Sequence, residues 1–322
     1  MRVAVHGASG FVGGLVVARL RDVGVEPVLV GRRALPGFRV AAVDDHESLV
    51  RALADVDVVI NCASPFTHFG EPVIRAAIDA GVAYVDVSGE ESYIKGVLDR
   101  HASAPVPILP AANNDCLTGD LLGHLVAEGL GGLETISTAF TAVDAEGSRG
   151  TVLMALTTRE TFHSGGLTWE DGEYVRDRAA KRTSVAWPSG DAPAVKFPLP
   201  PAVTLPRHVR TRHSEGLASP EIQAFFAGAT QATVDGTPRH PTPDSRSRAR
   251  FTLVVDALAT DGARRQGVLE GRDMYGTTAV IAVEAARRLL AAPPGAHAAA
   301  EVLDPADFLT GLAAHGVTWR VA

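Results

Sequence analysis

The sequence predicts an α/β protein: a doubly wound parallel Rossmann sheet, then a second α+β domain built on a mixed or antiparallel sheet. Three observations carry this expectation. From residue 1 to about 125, short β-branched runs alternate with helical stretches. A glycine-rich turn, Gly7-Ala8-Ser9-Gly10-Phe11-Val12-Gly13, joins the first run to the first helix. After residue 130 the alternation gives way to longer strand-like runs and proline-rich loops. Near-continuous apolar strands separated by helices of about 10–15 residues are the pattern of βαβ units.

In chain order, Arg2–His6, Pro27–Val30, Phe38–Ala42, Val56–Asn61, Ala83–Val87 and Val106–Leu109 read as strands, their Val and Ile suited to a buried pleated surface. Between them Phe11–Leu20, His46–Ala54, Gly70–Ala80, Ser92–Ala102 and Cys116–Glu128 read as helices, with Asp115 as an N-cap and Gly81 as a C-cap. Further on, Thr135–Asp144, Ala194–Leu199, Ala202–Pro206 and Ala249–Thr260 read as longer strands. Trp187–Pro206 and Thr237–Pro243 are rich in proline, which cannot donate within a central ladder, and read as loops. The helix formers of Thr277–Ala292 stop at Pro293-Pro294, and a last helix runs from Asp304-Pro305 to His315.

Composition narrows the class. The 322 residues are 46% hydrophobic with a net charge of −7, so no basic footprint points to nucleic acid or an anionic membrane. Two cysteines exclude a disulfide scaffold and suit a reducing compartment, which makes the cytoplasm the expected location. No apolar run reaches the roughly 18 residues of a membrane span, and a strand beginning at Arg2 is expected to leave no room for a signal peptide. Only three of the 30 basic residues are lysines (Lys95, Lys181, Lys196), which limits lysine-dependent chemistry.

The glycine turn carries the first mechanistic signal. Gly7 permits the tight turn, Gly10 lets backbone approach a diphosphate, and Gly13 lets the helix pack closely on the sheet. Ser9 and the N–H groups at Phe11 and Val12 then face the diphosphate. A glycine pattern alone is weak, but its place between a strand and a helix at the start of a βαβ series points to dinucleotide binding. At the end of the second strand an NAD enzyme carries Asp or Glu for the ribose hydroxyls. This chain has Gly31-Arg32-Arg33 there, two guanidiniums suited to a 2′-phosphate, so NADP(H) is the expected cofactor. Cys62, Ala63, Ser64 and Pro65 after the fourth strand, and Ser88 and Gly89 after the fifth, are expected along the ribose and nicotinamide side. For Asp86 and Glu90, helix-start capping and a site role stand as equal readings.

Several longer motifs resemble one family. Asn61–Glu90 (NCASPFTHFGEPVIRAAIDAGVAYVDVSGE) resembles the saccharopine dehydrogenase-like reductases, a family that includes the trans-acting enoyl reductases, nearly residue for residue. His101 and Ala102 fit that family's next helix, and Asp115 through Asp120-Leu121 fit its GFDSVPSDL motif. Ser148-Arg149-Gly150-Thr151 is similar to its SxGT signature, and Gly271–Ala279 to its GxDxYGxTA element. The likeness spans nearly the whole chain. Ser64 replaces a usual Gly, Asn113-Asn114 replace Gly-Phe, and Thr118 replaces a Pro. The resemblance implies an NADP-binding Rossmann domain over 1–125 and a substrate and dimerisation domain over 126–273, with helices of 274–322 free to pack back on the first. A homodimer is the expected assembly, and a small molecule the expected partner.

The implied reaction is hydride transfer between NADPH and a C=N bond, with an enoyl or other activated C=C bond as the alternative substrate. An iminium carries its own charge, whereas an enoyl thioester develops an enolate that needs hydrogen-bond donors. Asp115, beyond the sixth strand, is the carboxylate best suited to steering a cationic imine, or else caps its own helix. Tyr275 is a candidate donor from the second domain, with core packing as the competing reading. Asn113 and Asn114 fall where substrate is expected to meet cofactor, and Arg149 is a candidate for a substrate carboxylate unless it is a solvated loop residue.

Competing chemistries fail on the sequence. Four residues after Tyr84, Tyr93, Tyr174 and Tyr275 stand Ser88, Val97, Arg178 and Ala279, so the Tyr-x-x-x-Lys dyad of short-chain dehydrogenases is missing. Cys62 and Cys116 are too separated for a chelating pair, no HExxH occurs, and no metal is expected. A GxSxG elbow is also missing. His208 and His213 among Arg207, Arg210 and Arg212 read as a solvated loop rather than a phosphate patch. A non-catalytic NADP-sensing regulator stays open as a reading from another class, although it predicts a smaller second domain.

Overall fold

Val, Ile and Ala dominate the six early apolar runs, and the first, fourth, fifth and sixth are buried along most of their length. In the computed structural model, which describes residues 1–322, they become β1 (Val3–His6), β2 (Val28–Gly31), β3 (Phe38–Val40), β4 (Val58–Asn61), β5 (Ala83–Asp86) and β6 (Pro107–Leu109). With the short strand Gly295–Ala296 they form one parallel sheet in the order 295–296, β6, β5, β4, β1, β2, β3. The chain winds outward from β1 to β3, then restarts at β4 on the other side of β1. That reversal, between β1 and β4, is the switch point where open α/β sheets bind ligands at their carboxyl ends.

The connecting helices are α1 (Phe11–Asp22), α2 (His46–Leu53), α3 (Phe66–Ala80) and α4 (Glu91–Arg100). The Asp45 side chain accepts from Ser48 N–H to cap α2. Helix α3 begins at Phe66, four residues before the sequence suggests, because Pro65 at its N-cap has no N–H to leave unsatisfied. It ends at Gly81, which has the left-handed φ of 69° that its sequence position implies.

The chain divides into two units: Met1–Ser88 with Tyr93–Asn113 and Tyr275–Ala298, and Gly89–Ser92 with Asn114–Met274 and Ala299–Ala322. The expected boundaries at 125 and 274 are therefore displaced. Helix α5 (Cys116–Ala127) falls in the second unit because it is buried almost all round among that unit's elements. A Cβ at Gly119 would meet Pro201 at 2.7 Å, one at Gly123 would meet Leu205 at 2.5 Å, and one at Gly267 would meet Val126 at 2.5 Å. The C-terminal segment is also split, Tyr275–Ala298 joining the first unit and Ala299–Ala322 the second.

The second unit is built on a mixed sheet. Its path runs Thr318–Val321, Arg264–Arg272, Arg250–Ala259, β7 (Leu133–Val143), His213–Ala218, Thr168–Glu170 and Glu173–Val175, with Val195–Lys196 also paired to His213–Ala218. Only the pairing of β7 with His213–Ala218 is parallel. Successive side chains on a strand point to opposite faces. Gly267 accordingly lies under α5, while Val268 joins Ala139, Leu217 and Val254 in a core closed by Val185 and Trp187.

Two strand expectations fail here. Ala202–Pro206 is helical, as Pro201–Thr204 followed by a 3₁₀ turn at Leu205–Arg207, since Pro201 and Pro206 both favour helix starts over a ladder. Of Ala194–Leu199 only Val195–Lys196 is a strand, because Pro198 and Pro200 cannot donate. The expected loop Trp187–Pro206 in turn contains part of a hairpin, Ser184–Trp187 against Gly190–Pro193.

Candidate functional site

The glycine turn folds as a backbone-only cradle. Gly7 has φ +79°, and its N–H donates to Val30 O at 3.0 Å, tying the turn to β2. Gly10 N–H donates to Gly7 O at 2.8 Å. A Cβ at Gly13 would stand 2.2 Å from Gly7 O, and one at Gly7 would stand 3.1 Å from Ala63 N and Cys62 C. Three chain segments therefore meet where only glycine fits. Helix α1 starts at this cradle with no side-chain cap and no acidic residue in its first turn, so its positive end is left for an external anion.

Arg32 and Arg33 follow the end of β2 as exposed side chains, and Arg33 Nη2 donates to Ser9 Oγ at 3.2 Å. That bond links the guanidinium pair to the glycine turn, as a site for one phosphorylated ribose requires. Tyr275, expected from the second domain, instead belongs to the first unit. Its ring packs edge-on against Phe11, the first residue of α1, with centroids 5.0 Å apart. It flanks the cradle's helix start.

Behind the cradle lies a buried polar network. His6, Asn61 and Asp86 are register partners across β1, β4 and β5, so their side chains share a face. His6 Nδ1 lies 2.9 Å from Asn61 Oδ1, which also accepts from Ala63 N–H at 3.1 Å. Asn61 Nδ2 donates to Tyr84 OH, and the Tyr84 and Tyr93 hydroxyls both donate to Asp86 Oδ2. Asp86 Oδ1 accepts from Ser88 N–H and Oγ and from Ala111 N–H. Burial lowers the His6 pKa, so the ring is neutral and donates from Nδ1. Burial raises the Asp86 pKa, offset in part by the Ser88 and Ala111 donors. Ser88 O accepts from Asn113 Nδ2 at 2.9 Å. Asn113 thus fixes the chain leaving β5, and Asp86 caps no helix. Burial also pushes the Cys62 thiol well up, making it inert.

The first unit therefore holds Gly7, Ser9, Gly10, Phe11, Val12, Gly13, Arg32, Arg33, Cys62, Ala63, Ser64, Pro65, Ser88, Asn113 and Tyr275. Gly89, Asn114, Asp115 and Arg149 belong to the second. Asp115 occupies the N-cap position of α5, but its side chain makes no capping bond. Burial raises its carboxyl to about 6, so it is mostly ionised at neutral pH and titrates close to it. Arg149 is not a loop residue. It opens the helix α6 (Arg149–Thr157), capped by Ser148 Oγ, and its Nε donates to Thr237 O at 2.9 Å.

Nor do the two histidines sit in a solvated loop. His213 is 1% exposed within a central strand, and His208 Nε2 lies 2.9 Å from Asp120 Oδ1. Burial opposes both charges, yet His208 lowers the Asp120 pKa and Asp120 raises that of His208 through this pair. Sequence reasoning weighed Tyr84 and Tyr93 only for a Tyr-x-x-x-Lys dyad and gave His6 and Glu91 no role. The alternation Tyr84-x-Asp86 on one face of β5 was a readable signal for the first. Glu91 lacked any spacing that sets it apart.

Known proteins resemble this chain in its cofactor domain and in its fold. Residues 3–106 match the family model of the saccharopine dehydrogenase NADP binding domain. The chain is 28% identical over 146 residues to a lipid droplet localized protein of Caenorhabditis elegans, covering 37% of this chain and 34% of that one. It is 26% identical over 152 residues to the human saccharopine dehydrogenase-like oxidoreductase, covering 37% and 35%. To a Mycobacterium tuberculosis protein described as a candidate trans-acting enoyl reductase it is 26% identical over 140 residues, covering 37% and 33%. These matches span about a third of each relative's length. Among solved structures, the apo saccharopine dehydrogenase (L-Glu forming) of Saccharomyces cerevisiae aligns over 100% of this chain and 99% of its own, with a TM-score of 0.63 and 14% identity. That likeness shows the fold, including the second mixed sheet. No helix is long and apolar enough to cross a membrane.

Proposed function

We propose that this chain, whose residues 3–106 match the saccharopine dehydrogenase NADP binding domain, is an NADPH-dependent oxidoreductase that reduces the C=N bond of a small metabolite. The observation that carries the reading is the cradle itself, where a Gly13 Cβ would stand 2.2 Å from Gly7 O beside an uncapped helix start and two exposed arginines. When bound, NADPH supplies a hydride. The N–H groups at Phe11 and Val12 hold its diphosphate, with Gly7, Gly10 and Gly13 letting the backbone come close, and Arg32 and Arg33 hold the 2′-phosphate. Cys62–Pro65, Ser88 and Gly89 line its ribose and nicotinamide side in this reading. The hydrogen-bonded row His6–Asn61–Tyr84–Asp86 keeps the strand ends beneath them rigid.

Asp115 is the residue that favours an iminium substrate. A carboxyl with a pKa near 6 carries negative charge at neutral pH and attracts a cation. Asn114 and Arg149 orient the remainder of the substrate in this reading, and Tyr275 stays with the cofactor through its contact with Phe11. A homodimer in the cytoplasm completes this reading, and the two free cysteines suit a reducing compartment.

A second reading, reduction of an activated C=C bond, is favoured by the likeness to the mycobacterial protein described as an enoyl reductase. The test is NADPH fluorescence decay with a panel of cyclic imines, 2-oxo acid plus amine pairs, and enoyl thioesters. Turnover of imines supports the first reading, and turnover of thioesters alone selects the second. Tight NADPH binding with no turnover of any substrate overturns both and favours a regulator.

A further inference from the structure

Five non-glycine residues have positive φ, and four of them are Asp, whose short polar side chain tolerates that region. The fifth is Ala111, two residues past the end of β6, with φ 64° and 4% exposed. An alanine gains nothing locally from the left-handed region, so surrounding bonds must hold it there. They come from Asp86. Ala111 N–H donates to Asp86 Oδ1 at 2.9 Å, and Ala112 N–H donates to Asp86 O at 2.7 Å. The turn also closes on itself, with Asn113 N–H donating to Ala111 O at 2.8 Å, and Asn113 Nδ2 ties it to Ser88 O.

The same carboxyl group reaches the segments that follow β5 and β4. After β5 it accepts from Ser88 N–H at 3.0 Å and Ser88 Oγ at 2.6 Å. Toward β4, the Tyr84 hydroxyl donates to Asp86 Oδ2 and accepts from Asn61 Nδ2, while Asn61 Oδ1 accepts from Ala63 N–H. A Gly7 Cβ would stand 3.1 Å from Ala63 N, so this chain of bonds ends against the cofactor cradle. Tyr93, the other donor to Oδ2, packs its ring against Phe66 at the start of α3, with centroids 5.9 Å apart. Five donors thus converge on one carboxyl group, and every residue in the set belongs to the first unit. The loops they fix leave the carboxyl ends of β4, β5 and β6, the side read above as that of the ribose and nicotinamide.

We infer that Asp86 is a positioning residue of the reduction: by holding Ser88 and the Ala111–Asn113 turn in one place, it seats the nicotinamide ring for hydride transfer. This rests on the reductase reading above. Asp86 acts through the backbone it holds and supplies hydrogen-bond acceptors rather than a proton. A displacement of about 1 Å at the reacting atoms costs about 10²-fold in rate, so the fixity of these loops bears directly on turnover.

Two substitutions separate this role from stability alone. Asp86→Ala removes the acceptor for all five donors, whereas Asp86→Asn keeps an oxygen for Ser88 and Ala111. The readouts are NADPH titration followed by the nicotinamide's own emission, and kcat and KM per folded molecule with the reduced substrate. D86A should still bind NADPH through Arg32, Arg33 and the glycine turn. It should lose the emission gain of an immobilised nicotinamide over free cofactor, and turn over about 10²-fold more slowly with KM little changed. D86N should restore both. If D86A does not fold, Asn113→Ala, which cuts the tie to Ser88 O, carries the same test with a smaller loss expected. No emission gain in wild type, or wild-type emission and kcat in the folded variant, overturns the inference while an active wild type keeps the reductase reading. A D86N variant as impaired as D86A also overturns it, since the acceptor is then not what matters. A wild type that reduces nothing overturns the reading and the inference together.

Discussion

Gly13→Ala is the substitution that loads the cofactor cradle most directly. The added Cβ would stand 2.2 Å from Gly7 O, 2.8 Å from Gly7 C and 3.0 Å from Ala8 Cα, all backbone that cannot rotate away. Relieving the first overlap to a 3.0 Å contact moves α1 or the turn by about 0.8 Å. Overpacking of this kind costs about 1–3 kcal/mol of stability. The same shift spoils hydrogen bonds from the helix start to phosphate, each worth about 1.5–3 kcal/mol. Losing one weakens NADPH about 10- to 100-fold, at 1.4 kcal/mol per decade. The neighbouring Gly14 is the control: it lies in the same turn of α1 but is exposed, and a Cβ there meets nothing within 4 Å. Gly14→Ala should leave affinity unchanged and raise stability by about 0.5–1 kcal/mol. Fluorescence titration with NADPH and urea unfolding of both variants measure the two effects. If G13A binds NADPH as tightly as G14A does, the cradle is not the diphosphate site.

Three further expectations follow from the same unit. Arg32→Asp should weaken NADPH about 10- to 100-fold and NADH hardly at all, since only the former presents a 2′-phosphate; equal weakening in parallel titrations would refute the cofactor assignment. Asp86→Ala strands the buried Ser88 and Ala111 N–H groups and should cost about 2–6 kcal/mol in urea unfolding, at about 1–3 kcal/mol per orphaned donor. Asp86→Asn can keep its oxygen on those donors and its NH₂ on the tyrosine hydroxyls, so it should cost clearly less; equal costs would discount the network. Burial holds the folded pKa of His6 below its ordinary value of 6.5, so its stabilising contribution is full above about 6.5 and is lost as pH falls toward the folded value. Acid should therefore cut stability by up to about 1.4 kcal/mol per pH unit there, and His6→Asn should show a shallower slope in unfolding at pH 7 and 5.5.

The first sheet was legible because most of its strands are short buried runs alternating with helices, a local pattern that needs no tertiary knowledge, whereas the two-residue strand Gly295–Ala296 after Pro293-Pro294 carries no such signal. The glycine turn and the arginine pair were legible for a different reason: backbone approach and phosphate charge admit few residue types. The second unit was harder. Its strand His213–Ala218 carries His, Ser and Glu in a fully buried run, so hydropathy hid it. Ala202–Pro206 looked apolar enough for a strand, yet the prolines around it set helical dihedrals. The grouping of α5 with the second unit depends on Gly119, Gly123 and Gly267 as contact points, and their partners lie far off in sequence. Asp115 and Glu91 were ordinary acids in the sequence. Burial raises both carboxyls and their hydrogen bonds and neighbouring charges pull each back, and all of these are properties of the folded chain.

Isotope transfer tests the central claim most directly. The purified protein is given NADPH carrying deuterium at C4 of the nicotinamide, with the imine and enoyl panel, and products are read by mass spectrometry and NMR. The account predicts one deuterium at the carbon of the former C=N bond, with NADP⁺ formed in equal amount and NADH ineffective. A product without deuterium, or no oxidation of NADPH by any panel member despite tight binding, would contradict it.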